Sequence, residues 1–156
     1  RRHDKIPEKG DFKMYVKDDR NFITFLILNF ITCGIYGIYF WYMYVEDINT
    51  VFYGDGEDSP NYILVLILSI ITCGIYSFYW YYKQANRIYR GAYDRYGVPV
   101  NETGTGILLW MILGTLVCGL GILVAQYFMI NNLNKVAYAY NYQQQNRFTN
   151  GGPDYY

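Results

Sequence analysis

The sequence predicts an all-α integral membrane protein with three transmembrane helices, amphipathic helical extensions and an internal repeat. Three long apolar segments contain no acidic or basic side chain: 22–41, 62–81 and 107–130. Each reaches the length of about 20 residues that a helix needs to cross the hydrocarbon core of a bilayer. Charged residues make up only 17% of the chain and aromatic residues 21%, a composition that is unusual for a soluble domain.

The internal repeat joins the first two apolar segments. The block Ile31–Tyr36 recurs unchanged as Ile71–Tyr76, and the third segment carries the related step Cys118-Gly119-Leu120. A recurring block of this kind indicates that each copy is one structural unit. We therefore predict repeat units at about 22–53, 62–96 and 107–137.

Each unit is expected to continue beyond its span as an amphipathic helix. After the second span, apolar and aromatic residues recur at spacings of three and four, at positions 78, 82, 85, 88, 89, 92, 93 and 96. This spacing marks one face of a helix. Gly34 and Gly74 are predicted kink points, with a re-entrant turn as the alternative. A basic segment, 1–21, precedes the units, and a polar tail rich in Tyr, Asn and Gln, 138–156, follows them.

The distribution of basic residues predicts the topology. Seven Lys and Arg residues precede the first span, none lies between the first and second spans, four lie between the second and third, and two follow. This alternation matches the positive-inside rule for three crossings. We expect a multi-pass protein whose N-terminus and second loop are cytoplasmic. The C-terminus and the acidic loop that carries Asp55, Glu57 and Asp58 are then expected on the opposite side.

Small and weakly polar residues recur at helical spacing inside the spans and are the candidate helix-packing positions. Such residues let helix backbones approach closely in lipid. The three cysteines belong to this set and are expected to pack as small hydrophobes, because no charged neighbour in the sequence favours a reactive thiolate. The set consists of Asn29, Cys33 and Gly37, then Ser69, Cys73 and Ser77, then Gly114, Cys118, Gly121 and Ala125.

The candidate lipid-headgroup positions are two tryptophans and four basic residues. Trp41 and Trp80 lie in aromatic clusters at the ends of spans, where Trp and Tyr favour the membrane interface. A ligand pocket built from these rings is the alternative. The basic residues form a strip after the second span that is expected to meet anionic lipid: Lys83, Arg87, Arg90 and Arg95.

No motif in the sequence predicts catalysis or a cofactor. His3 is the single histidine, and no nucleophile–base pair, paired carboxylates or phosphate-binding loop accompanies it. The cysteine spacing does not match a metal site. A formal net charge of zero gives no basic field for nucleic acid. We therefore expect a protein that is not an enzyme and that binds no cofactor, metal or nucleic acid.

The expected function is that of a structural or assembly subunit in a homo-oligomer or a larger membrane complex. The expected partners are the lipid bilayer and either further copies of the chain or other membrane protein subunits. The alternative is a homo-oligomeric pore or channel, with Asn29, Ser69 and the threonines of the repeat lining its path.

The repeated block also carries a family resemblance. Thr-Cys-Gly-Ile-Tyr is followed by Tyr39-Phe-Trp-Tyr42 in the first copy and by Tyr79-Trp-Tyr-Tyr82 in the second. This pattern resembles the membrane family catalogued as domain of unknown function 4234, over roughly Arg20 to Tyr140. The resemblance implies a bacterial cytoplasmic (inner) membrane location and no particular activity.

Overall fold

The computed structural model describes residues 15–117 and 119–149, and this part of the chain folds into six α-helices. Side-chain caps start three of them, because the oxygens of Asn21, Asn61 and Thr103 accept hydrogen bonds from the first free backbone N–H groups. The helices are α1 (Phe22–Ile31), α2 (Ile35–Val51), α3 (Tyr62–Ile71), α4 (Ile75–Tyr96), α5 (Gly104–Leu116) and α6 (Gly121–Thr149). The all-α prediction is therefore confirmed.

A sharp turn divides each predicted span into two helices. In the first span Cys33 has φ +50° and Gly34 has φ +93°, a left-handed conformation that glycine adopts at little cost and that cannot continue a right-handed helix. The chain then reverses, since the ring of Phe25 in α1 lies 4.6 Å from that of Phe40 in α2. Helices α1 and α2 therefore form an antiparallel hairpin.

The same construction recurs in the other two segments. Cys73 has φ +52° and Gly74 has φ +89° between α3 and α4, and Gly119 has φ +75° between α5 and α6. The three helix pairs, α1–α2, α3–α4 and α5–α6, are named hairpins 1, 2 and 3.

The prediction of three transmembrane helices is wrong. Among residues 15–117 and 119–149, no helix combines the length and the apolar character that a membrane crossing requires. Hydropathy over a window records composition and not chain direction, so it does not detect a reversal in the middle of an apolar run. The prediction of a multi-pass protein in a bacterial cytoplasmic membrane depended on those crossings and is therefore also wrong.

The second helices of the three hairpins run side by side in the same direction. Three contacts join residues that lie six, seven or ten positions beyond their own turns. Residues at matching distances can meet in this way only when the helices are parallel. The contacts are Trp41 with Trp80 at 5.9 Å between ring centroids, the Tyr81 hydroxyl with the Gln126 amide at 3.2 Å, and the Tyr44 hydroxyl with the Met129 carbonyl at 3.0 Å. All three turns therefore lie at one end of the molecule, named the tip end, and the opposite end is named the base.

Helices α2, α4 and α6 enclose the core. Their inward positions are almost fully buried, as expected for the apolar stripe of packed amphipathic helices. The core continues from the aromatic layer beneath the turns to the base. Its largest buried side chains include Tyr44, Ile48, Phe52, Trp80, Ile88, Met129 and Leu133.

The base also corrects the predicted topology. Arg87 of α4 forms an ion pair with Asp55 at 2.7 Å, and Arg90 forms one with Glu57 at 3.0 Å. The acidic loop and the basic strip, which were assigned to opposite sides of a membrane, are therefore in direct contact. The alternation of charge along the sequence reflects this pairing across the base.

Candidate functional site

The tip end exposes apolar side chains from all three hairpins. Phe30 is 88% exposed, Ile70 79% and Leu116 78%, and each lies within four residues of its turn. Large exposed apolar side chains gathered at one end of a molecule are typical of a binding surface. The other members of this surface are Ile31, Ile35, Ile71, Ile75, Val117 and Leu120.

No charged residue occurs near any turn. Residues 21–45, 59–82 and 103–134 contain no Asp, Glu, Lys or Arg. The short helices α1 and α3 have 10 residues each and are therefore roughly 15 Å long. This length is about half of the roughly 30 Å hydrocarbon core of a bilayer.

The turn of hairpin 1 satisfies its own backbone donors with two side chains. The Thr32 hydroxyl donates to the Leu28 carbonyl at 2.8 Å and accepts from the Tyr36 N–H at 2.9 Å. The side-chain oxygen of Asn29 accepts from the Gly37 N–H at 3.0 Å. These bonds reach the first turn of α2, where a helix ordinarily leaves N–H groups without an intrahelical partner.

Backbone carbonyls accept from the remaining donors of this turn. The N–H groups of residues 32–35 donate to the carbonyls of Leu28, Phe30, Asn29 and Thr32 respectively, at 2.8–3.2 Å. Every backbone N–H from residue 32 to residue 37 is therefore bonded within the hairpin. A turn built in this way can leave water without the cost of several kcal/mol for each unpaired group.

Hairpin 2 reproduces the arrangement with one change. Thr72 makes the same two bonds as Thr32, at 2.8 Å to the Leu68 carbonyl and 3.0 Å from the Tyr76 N–H. Ser69 and Ser77 replace the Asn29–Gly37 pair, and their hydroxyl groups are 2.7 Å apart. The repeat in sequence is thus a repeat of the turn and its hydrogen bonds.

The predicted packing residues meet inside hairpins. A Cβ added to Gly37 would overlap the Asn29 side chain, and a Cβ added to Gly114 would overlap the backbone of Gly121. Ala125 is fully buried. Cys33 and Cys73 are exposed in their turns, and Cys118 lies outside the described residues.

The two tryptophans lie in the core rather than at the surface. Trp41 is 2% exposed and Trp80 is 1% exposed. Their rings pack edge to face with each other and with the ring of Tyr81, at 5.4 Å and 5.1 Å between centroids for the two tyrosine contacts. They form the layer on which the hairpins meet beneath the tip end.

This layer contains no ionised group. Burial raises the pKa of Tyr44 and of Tyr81 far above the ordinary value, and it raises the pKa of Tyr62 to about 12. All three phenols, which are neutral near pH 7 even at the ordinary pKa of about 10, therefore stay neutral further into the alkaline range. The hydroxyls of Tyr44 and Tyr81 are paired with Met129 and Gln126.

The basic strip divides into different roles. Arg87 is buried, and besides Asp55 it donates to the Asn49 side chain at 2.7 Å and to the Ser59 hydroxyl at 2.9 Å. Arg95 donates to the carbonyl of Tyr53 at 2.7 Å. Lys83 and Arg90 are left on the outer face of α4.

Sequence reasoning missed the role of the two threonines. A signal was present in the sequence. In both copies of the repeat, Thr32 or Thr72 stands directly before the Cys-Gly step, and a Tyr follows four residues after it. It also missed the ion pair between Arg20 and Asp47, which joins the segment before α1 to α2. No local pattern predicts that contact, since 27 residues separate its members.

Comparison with known proteins finds a family match over part of the chain and indicates no activity. Residues 20–90 match the family described as "Domain of unknown function (DUF4234)", a range that covers hairpin 1 and most of hairpin 2. No curated protein and no solved structure matches the chain.

Proposed function

We propose that this chain, whose residues 20–90 match the DUF4234 family, is a monotopic membrane protein. In this proposal the three hairpins insert their tips into one leaflet of a lipid bilayer, and the base stays at the surface. The role is structural and non-enzymatic, namely to hold a rigid helical platform on the membrane.

One observation carries the proposal. Three uncharged turns with exposed apolar side chains lie at the same end of the molecule. Transfer of a large apolar side chain out of water is favourable by roughly 1.5–3 kcal/mol, and each hairpin contributes several. Three hairpins that enter together would therefore give a strong anchor without a crossing.

The hydrogen bonds of the turns support the same proposal. In water, the donors at the start of α2 and α4 could bond to solvent, so the side chains of Thr32, Thr72 and Asn29 would be dispensable there. Inside hydrocarbon every backbone donor needs a partner from the protein. The turns of hairpins 1 and 2 supply those partners.

The position of charge sets the expected depth of insertion. Helices α1 and α3, about 15 Å long, match the thickness of one leaflet's hydrocarbon, about 15 Å. The caps of these helices, Asn21 and Asn61, would then lie at the interface. The ion pairs of Asp55 and Glu57 lie beyond it, at the base.

The test is flotation with phosphatidylcholine vesicles. A tip variant combines F30D, I70D and L116D, and a matched control combines Y93D, Y138D and Y142D, three exposed aromatic positions at the base. We expect the affinity of the tip variant for vesicles to fall by at least about a thousandfold. Each of the three side chains contributes at least about 1.4 kcal/mol, which is a factor of about ten in affinity. The control should bind like the natural chain.

Two outcomes contradict the proposal. Equal binding by the tip variant and the natural chain would show that the tips do not enter lipid. If the natural chain does not float but forms an oligomer that the tip variant dissolves, the tips face another copy of the chain. Circular dichroism of each variant shows whether its helices are intact.

A further inference from the structure

A groove of about 500 Å³ lies on the outer face of α4, along residues 79–90. Its residues on α4 recur at spacings of three and four, so they share one face of the helix. At the end of the groove nearer the base, Glu57 of the acidic loop contributes to the wall. The lining consists of Tyr79, Tyr82, Lys83, Asn86, Arg90 and Glu57.

Lys83 is the charged residue nearest to any turn. It lies nine positions beyond Gly74, whereas the next nearest, Glu46, lies twelve beyond Gly34. At 1.5 Å per residue along α4, Lys83 is about 14 Å from its turn. This depth is close to the boundary between hydrocarbon and headgroups, about 15 Å from the bilayer centre.

The donors around Lys83 are available for a ligand. Among the described residues, no acidic side chain or hydrogen-bond acceptor is paired with the Lys83 ammonium, and none is paired with the hydroxyls of Tyr79 and Tyr82. The guanidinium of Arg90 donates to Glu57 through Nη2 at 3.0 Å and to the Asn86 carbonyl through Nε at 3.4 Å, and the side chain is 64% exposed. With two cations and one carboxylate, the groove keeps a net positive charge.

The other basic residues of the strip do not compete for this role. The guanidinium of Arg87 is used inside the base by Asp55, Asn49 and Ser59. Arg95 is held by the Tyr53 carbonyl and lies 21 positions beyond Gly74, about 30 Å from the turn. Of the four basic residues of the strip, Lys83 and Arg90 are therefore the two whose charges remain for a headgroup.

We propose that this groove binds the phosphate of an anionic lipid headgroup in the leaflet that holds the tips, an assignment that rests on the proposed insertion. The ammonium of Lys83 supplies a compact positive charge, and the hydroxyls of Tyr79 and Tyr82 donate from the hydrocarbon side. Arg90 contributes from the base side, where Glu57 partly neutralises it.

The experiment compares vesicles of phosphatidylcholine with vesicles that also contain phosphatidylglycerol, using the full chain. We expect the natural chain to bind the anionic vesicles more tightly than the neutral ones. In K83Q this ratio of affinities should be about fivefold smaller, because that is what one basic group near an anionic membrane contributes. E57Q should increase the ratio of affinities for anionic over neutral vesicles, because it frees Arg90 from its ion pair. K135Q is the control, since Lys135 is an exposed lysine on α6, outside the groove.

The outcomes separate this inference from the proposed function. If the natural chain binds neutral vesicles but shows no anionic preference, or if K135Q loses as much as K83Q, the groove assignment is wrong and insertion stands. If it binds neither kind of vesicle, the proposed insertion itself fails. Inorganic phosphate that displaces the natural chain from anionic vesicles, and fails to act on K83Q, would show that free phosphate is the ligand and overturn the lipid assignment.

Discussion

Thr32 and Thr72 each use one hydroxyl group for two hydrogen bonds. The hydroxyl accepts from the first turn of the following helix and donates to the last turn of the preceding one. Each threonine therefore joins the two helices of its hairpin at the point where the chain reverses. A side chain of the same shape without a hydroxyl group would leave the Tyr36 or Tyr76 N–H without an acceptor.

The variant T32V tests this role. Loss of the acceptor should lower the free energy of unfolding by about 1–3 kcal/mol, the cost of an unpaired buried donor. The measurement is chemical unfolding in detergent micelles followed by circular dichroism. T24V is the control, because Thr24 is an exposed threonine of α1. A difference of less than about 0.5 kcal/mol between the two variants would show that the hydroxyl is dispensable.

The pattern along the sequence singles out residues that matter for packing but does not identify their partners. Asn29 and Gly37 were predicted on one face of a single helix, whereas the structure places them on the two helices of hairpin 1, where a hydrogen bond joins them. Arg87 was expected at a lipid surface, but it is buried against Asp55. Its partner lies 32 residues away, and a periodic pattern on one helix cannot show which face a loop covers.

The helical hairpin is the unit of which this protein is built. Its two helices are held together differently in each copy: by an amide in hairpin 1, by two hydroxyls in hairpin 2 and by direct backbone contact between Gly114 and Gly121 in hairpin 3. Hairpin 3 lacks the threonine of the other two turns. Close backbone packing is its alternative means of closure.

Replacement of Gly114 should therefore destabilise the protein more than replacement of Gly37. In G114A the new methyl group meets the Gly121 backbone, which cannot move aside, and overpacking of this kind costs about 1–3 kcal/mol. In G37A the new methyl group meets the flexible end of Asn29, and the gain of up to about 1 kcal/mol in helix propensity offsets the lost contact.

Unfolding of the two variants in detergent micelles checks this ranking. Equal stability of G114A and the natural chain would contradict the close approach of α5 and α6.

The wrong prediction of three spans also concerns the hairpin as an element. The Cys-Gly step was identified as a kink or a re-entrant turn, but its direction depends on the left-handed φ angles of Cys33 and Gly34, which hydropathy does not encode.

The whole molecule is asymmetric along its length. One end presents three uncharged turns, the middle is an aromatic layer of neutral side chains, and the base carries paired charges. This order follows the change in polarity from the hydrocarbon of one leaflet to water. The parallel arrangement of the hairpins produces it, because every copy of the repeat points the same way.

The sequence predicted alternating directions for successive copies, and the contacts at the base explain the error. Positive charge after the second span was interpreted as a cytoplasmic loop, yet Arg87 and Arg90 neutralise Asp55 and Glu57 of the preceding loop. An alternation of acidic and basic segments is therefore compatible with a single side. Charge counts alone cannot distinguish pairing within the protein from orientation in a membrane.

If all three hairpins enter the same leaflet, the α2–α3 loop and the end of α4 lie on the same side of the membrane. Cysteines introduced as D58C in the α2–α3 loop and D94C near the end of α4 are both exposed positions at the base. The measurement is labelling by a membrane-impermeant maleimide in sealed vesicles of one orientation, with the natural chain giving the background from its own cysteines. Hairpins in one leaflet predict that D58C and D94C are labelled from the same side and to the same extent. Labelling from opposite sides would show that the chain crosses the membrane between the two loops.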